Sequence, residues 1–224
     1  MKFVRWTAIV LLALLAGVWG AAWFARLPGE GIADSFARNL TLVFGGQDAV
    51  PNAGGLVLPA GVELGGPFTL TNQDGTSVTD ATYRGKWMLI YFGFTYCPDV
   101  CPTELQVVSE ALHDLGDQAS QVAPIFVTID PERDTPAVLA DYVKLFDDRL
   151  IGLTGTAEQI AAIARAYRVY YAKVTPPGST TYLMDHSSFL YLMAPDGRFS
   201  TLFRNGTSAA DIVAALKARM GRAS

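Results

Sequence analysis

Cysteine occurs only twice in the 224 residues, at Cys97 and Cys101, and histidine only twice, at His113 and His186. With so few thiols the chain can hold at most one internal disulfide, and any metal site must be built from a handful of ligands. Basic residues are also scarce: 17 Lys and Arg against 21 Asp and Glu give a net charge of -4, with no basic run beyond the first few positions. That excludes a nucleic-acid binder, which needs a basic patch to neutralise phosphates. There is no internal repeat and no low-complexity block. Half of the residues are hydrophobic, enough to bury one sizeable core, so the composition is that of a globular domain with additions.

One addition is the uncharged run WTAIVLLALLAGVWGAAWFA, Trp6 to Ala25, preceded by Lys2 and Arg5 and closed by Arg26. A helix of that length spans roughly 30 Å, the thickness of a bilayer's hydrocarbon core. Basic residues ahead of it favour a cytoplasmic N-terminus and an exported remainder. Trp6, Trp19 and Trp23 suit the membrane interfaces. A cleaved signal peptide is the rival, with Gly20 and Ala22 as a small-x-small site, but the run exceeds the usual apolar core of about 7–15 residues. Residues 1–26 therefore read as a membrane anchor or signal peptide. Residues 27–61, rich in Gly and Pro, read as a flexible linker, and residues 62–224 as the folded domain.

Within that domain strand and helix signals alternate. Pro67 to Asp80 has β-type residues on both sides of Asp74-Gly75 and predicts a hairpin. Lys86 to Phe94 and Val122 to Ile129 are nearly unbroken apolar runs, as strands buried on both faces should be. A helix is predicted between them, with Pro102 in its first turn and Leu105, Val108, Leu112 and Leu115 at helical spacing. Asp134-Thr135-Pro136 marks the start of a second helix, to about Phe146. A short strand at Leu150 to Leu153, a helix from Thr156 to Tyr170, a hairpin of Ser188 to Met193 with Arg198 to Phe203, and a closing helix from Ser208 to Met220 complete the pattern. This order predicts an α/β, thioredoxin-like fold with an N-terminal β-hairpin extension. Cys97 and Cys101 then fall where the first core strand meets its helix, at the carboxyl end where ligands gather on such sheets.

Three roles are open to the pair. A structural disulfide closing so short a loop contributes only about 2 kcal/mol. Thiol-disulfide exchange is favoured by a helix N-terminus, which stabilises a thiolate, but three residues separate the thiols rather than the two usual in redox motifs. The residues leading into the strand that faces them, Met184-Asp185-His186-Ser187, also lack the proline customary there. A histidine stands in that place, so the fold would bring two sulfurs and one imidazole nitrogen together. Soft thiolates with imidazole suit copper, and zinc less well, since no carboxylate suggests a general base and three ligands do not close a structural zinc site.

The loop YCPDVCPTEL, the run TIDPERDTP from Thr128 to Pro136, and DHSSFLYLMAPDGRF from Asp185 to Phe199 together resemble the Sco/SenC family. The likeness covers roughly Leu64 to Met220 and the anchor. It implies a membrane-anchored metallochaperone in the cell inner membrane, single-pass, with its C-terminal domain in the periplasm. The implied cargo is copper, as one Cu(I) or Cu(II) ion per domain, held by Cys97, Cys101 and His186. The implied acceptor is the dinuclear copper centre of cytochrome c oxidase subunit II, with an upstream copper donor or thiol reductant as a further partner. Oxidation of Cys97 and Cys101 to a disulfide would release the metal, and the same pair would serve to reduce the acceptor's cysteines. The alternative is an exported thiol-disulfide oxidoreductase with no obligatory metal.

Asp185 is a candidate to orient the imidazole from behind. Pro98 and Pro102 each bias the preceding cysteine away from helical angles, which predicts a stiff loop presenting both sulfurs outward. Phe92, Phe94 and Tyr96 are expected to line its base. His113 is expected at the surface, Met88 and Met193 in the core, and Met184 near His186.

Overall fold

The computed structural model describes residues 63–223. The predicted anchor, Trp6 to Ala25, and the linker lie outside the described residues. Among the described residues no helix is long and apolar enough to cross a membrane.

The central strands form as their composition demands. All seven residues of β3 (Trp87–Gly93) and of β4 (Val122–Thr128) are buried, and the two pair in parallel from Trp87 with Val122 to Gly93 with Thr128. Pro124 is tolerated inside β4 because pairing with the next strand starts only at Ile125 with Ile151, so on that side it interrupts no ladder. Around this pair the sheet grows outward in the order β2-β1-β5-β4-β3-β8-β9. Its other members are β1 (Thr69–Asn72), β2 (Ser77–Thr79), β5 (Ile151–Thr154), β8 (Phe189–Met193) and β9 (Phe199–Arg204). β5 joins in parallel, whereas β8 and β9 run antiparallel. The expected βαβ and ββα halves of a thioredoxin-like core are thus β3 and β4 with the helix Val100–Asp114 between them, and β8 and β9 followed by the helix Ala209–Ala223, with the β1–β2 hairpin as the extension. The turn of that hairpin is held by the Asn72 side chain, which accepts from the Asp74 and Thr76 amides, while Gly75 takes the left-handed φ of 78°.

The helices are α1 (Val100–Asp114), α2 (Pro136–Val143), α3 (Ala157–Ala166) and α4 (Ala209–Ala223). α1 and α4 pack on each other, α2 on β5, and α3 on β1. Two helices end earlier than the apolar periodicity predicts. After Val143 the amides of Leu145 and Phe146 turn back to carbonyls three residues away, tightening the chain out of the helix. After Ala166 the backbone of Arg168 swings to φ 54° and the Val169 amide bonds the Ala164 carbonyl at 2.8 Å. That is a left-handed cap, and it stops α3 well before Tyr170.

Stopping there frees Tyr171–Val174 to become β6, which pairs antiparallel with β7 (Leu183–His186), Tyr171 opposite His186. This two-stranded ribbon stands outside the main sheet and was not anticipated. Strand-forming residues flanking Pro176-Pro177-Gly178 were the available signal.

Candidate metal and thiol site

The site lies where β3 ends, α1 begins and the ribbon returns. Cys101 is the second residue of α1, and its side chain is turned inward with 0% exposure. Cys97, in the preceding turn, is half-buried. Both are free thiols. The expectation of two outward sulfurs therefore holds only for Cys97. Pro102 is accommodated as the third residue of the helix, where the absent N–H has no partner to lose, so Cys101 can take a helical backbone and point at the sheet. Room for its sulfur exists because position 93 is glycine: a Cβ there would stand 2.8 Å from the Cys101 Sγ and 2.8 Å from Phe126.

His186 comes from the end of β7. Its Nε2 is 3.7 Å from the Cys101 Sγ, and its Nδ1 is 3.0 Å from the Ser187 carbonyl oxygen. A carbonyl only accepts, so that contact puts the ring proton on Nδ1 and leaves the Nε2 lone pair facing the sulfurs. Asp185, the expected orienting group, is exposed and on the alternate face of the strand; the Ser187 carbonyl occupies the position assigned to it. Phe94 meets the imidazole edge-on with centroids 6.0 Å apart, and Tyr91 does so at 6.4 Å. The Tyr91 hydroxyl also reaches the Cys101 Sγ at 3.9 Å.

The two thiols are driven apart electrostatically. Cys97 is held well below the ordinary thiol range, first by a hydrogen bond from Cys101, against a desolvation cost, and then by the backbone of Asp99 and Cys101. Cys101 moves the other way, raised by that same bond and by burial. The pair thus shares a single proton, with the negative charge on the more exposed sulfur at the start of α1. This is the disposition of an attacking thiolate and also of a ligand ready for a cation.

Metal bonds to thiolate sulfur and imidazole nitrogen are roughly 2.0–2.3 Å long. Two such donors around one ion stand roughly 3.5–4 Å apart, and the Cys101–His186 separation of 3.7 Å already matches. Among the described residues no three His, Cys, Asp or Glu side chains are grouped closely enough to hold a metal ion, so only the Cys101–His186 pair stands at ligand spacing and the third donor, Cys97, has to move to join it. The residues present fit a soft metal ion.

Other expected placements divide. Met88, Met193 and Met184 are all in the core, Met184 at 6% exposure. His113 is a surface residue. Phe94 is buried against His186, whereas Phe92 is buried against Tyr167 and Tyr191 instead of lining the site, and Tyr96 is 63% exposed.

The run TIDPERDTP carries more than a helix start. The cap of α2 is Thr135, whose hydroxyl accepts from the Val138 amide. Asp134 is fully buried and turns instead to the cysteine turn. Its carboxylate accepts from the Thr95 amide at 3.0 Å, the Thr95 hydroxyl at 2.6 Å and the Thr128 hydroxyl at 2.6 Å. Burial nevertheless raises its pKa. Asp130, 1% exposed, pairs with Arg133 and accepts from the Tyr182 hydroxyl at 2.8 Å. Glu104, also buried, accepts from the Gly206 amide at 3.0 Å. Buried acids of this kind were concealed in the sequence because their partners are distant along the chain.

Comparison with known proteins follows the same lines. The family model described as SCO1/SenC matches residues 58–221. The mouse "Protein SCO1 homolog, mitochondrial" is 46% identical over 159 residues, covering 70% of this chain and 56% of its own length; the chain spans about half the length of the curated relatives it matches. The structure of Bradyrhizobium japonicum ScoI with copper bound superposes with a TM-score of 0.65 at 47% identity, covering 69% of this chain and 98% of that one. BsSco, described as having a disulfide switch and as a member of the Sco family of cytochrome c oxidase assembly proteins, gives a TM-score of 0.56 at 27% identity, over 73% of this chain and 96% of that one.

Proposed function

The chain belongs to the SCO1/SenC family, and from that premise we propose that it is a copper metallochaperone for cytochrome c oxidase assembly. The reading rests above all on one observation: the Nε2 of His186, released by the Nδ1 contact to Ser187, faces the sulfur of Cys101 at 3.7 Å. Cys97, Cys101 and His186 are the ligands of the copper ion that is its cargo, and Cys97 supplies the negative charge that favours capture of a cation. The acceptor is the dinuclear copper centre of subunit II. Trp6 to Ala25 anchors the protein in the inner membrane, and residues 62–224 work on the periplasmic side.

The test uses the full-length chain in detergent, reduced and then loaded with copper. Wild-type protein should retain about one ion per chain and show a sulfur-to-copper(II) charge-transfer band, and His186→Ala should lose tight binding. Equal retention by both proteins would sink the three-ligand site.

The opposed shifts of the two thiols favour a second reading, a thiol-disulfide oxidoreductase. The two functions are compatible in one molecule, since the pair that holds copper is also able to reduce an acceptor's disulfide. A protein that is only an oxidoreductase would keep its reductase activity in His186→Ala and would need no metal.

A further inference from the structure

The ribbon that carries His186 has no strand of the main sheet beside it, and an isolated two-stranded ribbon is marginal in water. Beyond the two-residue link from His186 into β8, its position against the cysteine turn comes from side chains. Those contacts converge on Arg133. The guanidinium carbon lies 3.8 Å from the ring centroid of Tyr182, which leads into β7, and 4.7 Å from that of Tyr96, the neighbour of Cys97. Its Nη1 donates to the Tyr182 carbonyl at 3.0 Å, and its Nε donates to Asp130. Asp130 in turn accepts from the Tyr182 hydroxyl, and its amide is fixed to the Thr128 hydroxyl at 2.9 Å, at the end of β4.

The Nη2 of Arg133 is buried with no hydrogen-bond partner. Between two aromatic faces that nitrogen is stabilised by the ring quadrupoles instead. β6 is drawn to the same place by Lys173, which pairs with Glu132 at 2.6 Å and lies 4.6 Å from the Tyr182 ring centroid.

We infer that Arg133 is a positioning residue: a cation clamped between Tyr96 and Tyr182 that holds the His186 ribbon at a set distance from the Cys97 turn and so fixes the span available to a metal ion. It touches none of the three ligands and acts through the two tyrosines. The part of this inference that concerns metal rests on the copper reading above, whereas the part that concerns the ribbon does not.

The experiment compares wild type, Arg133→Gln and Arg133→Lys as full-length, reduced, metal-free proteins by amide hydrogen exchange. Loss of the clamp in Arg133→Gln should accelerate exchange in Tyr171–Val174 and Leu183–His186 on the order of ten-fold, with β3 and β4 unchanged. Arg133→Lys keeps the charge without the planar fork and should fall between, so the comparison survives if the glutamine variant fails to fold. On addition of Cu(II), the charge-transfer band of Arg133→Gln should move from its wild-type position, and that of Arg133→Lys should move less. Ribbon exchange at the wild-type rate in the variants, or acceleration shared equally by β3 and β4, would overturn the clamp. If wild type shows no cysteine-dependent band, the copper reading fails while the exchange comparison still decides the role of Arg133.

Discussion

Asp134 and Thr95, 39 positions apart, are joined by two hydrogen bonds, from the amide at 3.0 Å and the hydroxyl at 2.6 Å, to one carboxylate. The segment between β4 and α2 thereby holds the turn that carries Cys97. Asp134→Ala would leave the Thr95 amide and the Thr128 hydroxyl without that acceptor, at a cost of about 2–4 kcal/mol in denaturant unfolding. Asp134→Asn keeps an oxygen and the shape and should lie closer to wild type. Because burial raises the Asp134 pKa above 3.8, the folded state binds this proton more readily than the unfolded one. Its contribution to stability is therefore greatest below the ordinary value and declines as pH rises through the folded value. That decline should vanish in Asp134→Asn.

The thiols predict the opposite slope. With Cys97 depressed below the ordinary 9.0, the unfolded chain binds an extra proton between the folded and ordinary values. The reduced protein should gain stability with rising pH across that window and lose it as pH falls through the folded value. Cys101, raised from the same 9.0, works against stability only above that pH. Guanidinium midpoints of reduced protein at several pH values should show the rise in wild type and not in Cys97→Ser.

Labelling separates the two sulfurs directly. An ordinary thiol loses reactivity toward iodoacetamide about ten-fold per pH unit below its pKa. Cys97 should label at nearly the same rate at mildly acidic and mildly alkaline pH, and Cys101 hardly at all in the folded state. Equal labelling of both, located by peptide mass, would contradict the asymmetry.

Gly93 has no room for a side chain beside the site. Gly93→Ala would press on the Cys101 sulfur and on Phe126, both 2.8 Å from the new methyl. Overpacking of this kind costs about 1–3 kcal/mol, and the displaced sulfur should weaken copper retention as well. Thermal unfolding together with copper titration would show both effects.

Copper retention should follow thiol redox state. Treating the loaded protein with diamide, which takes up the two electrons released as Cys97 and Cys101 join, should lower copper from about one ion per chain to nearly none. A thiol reductant should restore binding. Metal retained after complete oxidation, with the disulfide confirmed by mass, would show that the cysteines are not ligands.

The strands and helices that build the core were legible because periodicity and turn chemistry are local: Lys86 to Phe94, Val122 to Ile129 and the Asp74-Gly75 turn are recognisable from neighbours alone. The β6–β7 ribbon was not. Its existence depends on α3 stopping at a left-handed Arg168, and nothing in an otherwise apolar, helical pattern announces that cap.

For the site itself, the sequence determined which atoms are present: two thiols at a helix start, one histidine ahead of a late strand, and the run TIDPERDTP between them. Only the tertiary structure decided their inequality. Cys101 is sealed against Gly93 while Cys97 remains open, the Ser187 carbonyl rather than Asp185 sets the ring of His186, and Asp134 and Arg133 tie the cysteine turn to distant elements. The physical reason is range. Residue identity and spacing set local backbone preference, but burial, proton sharing and hydrogen-bond partnership depend on how the folded chain packs, which brings together groups as far as 39 and 85 positions apart.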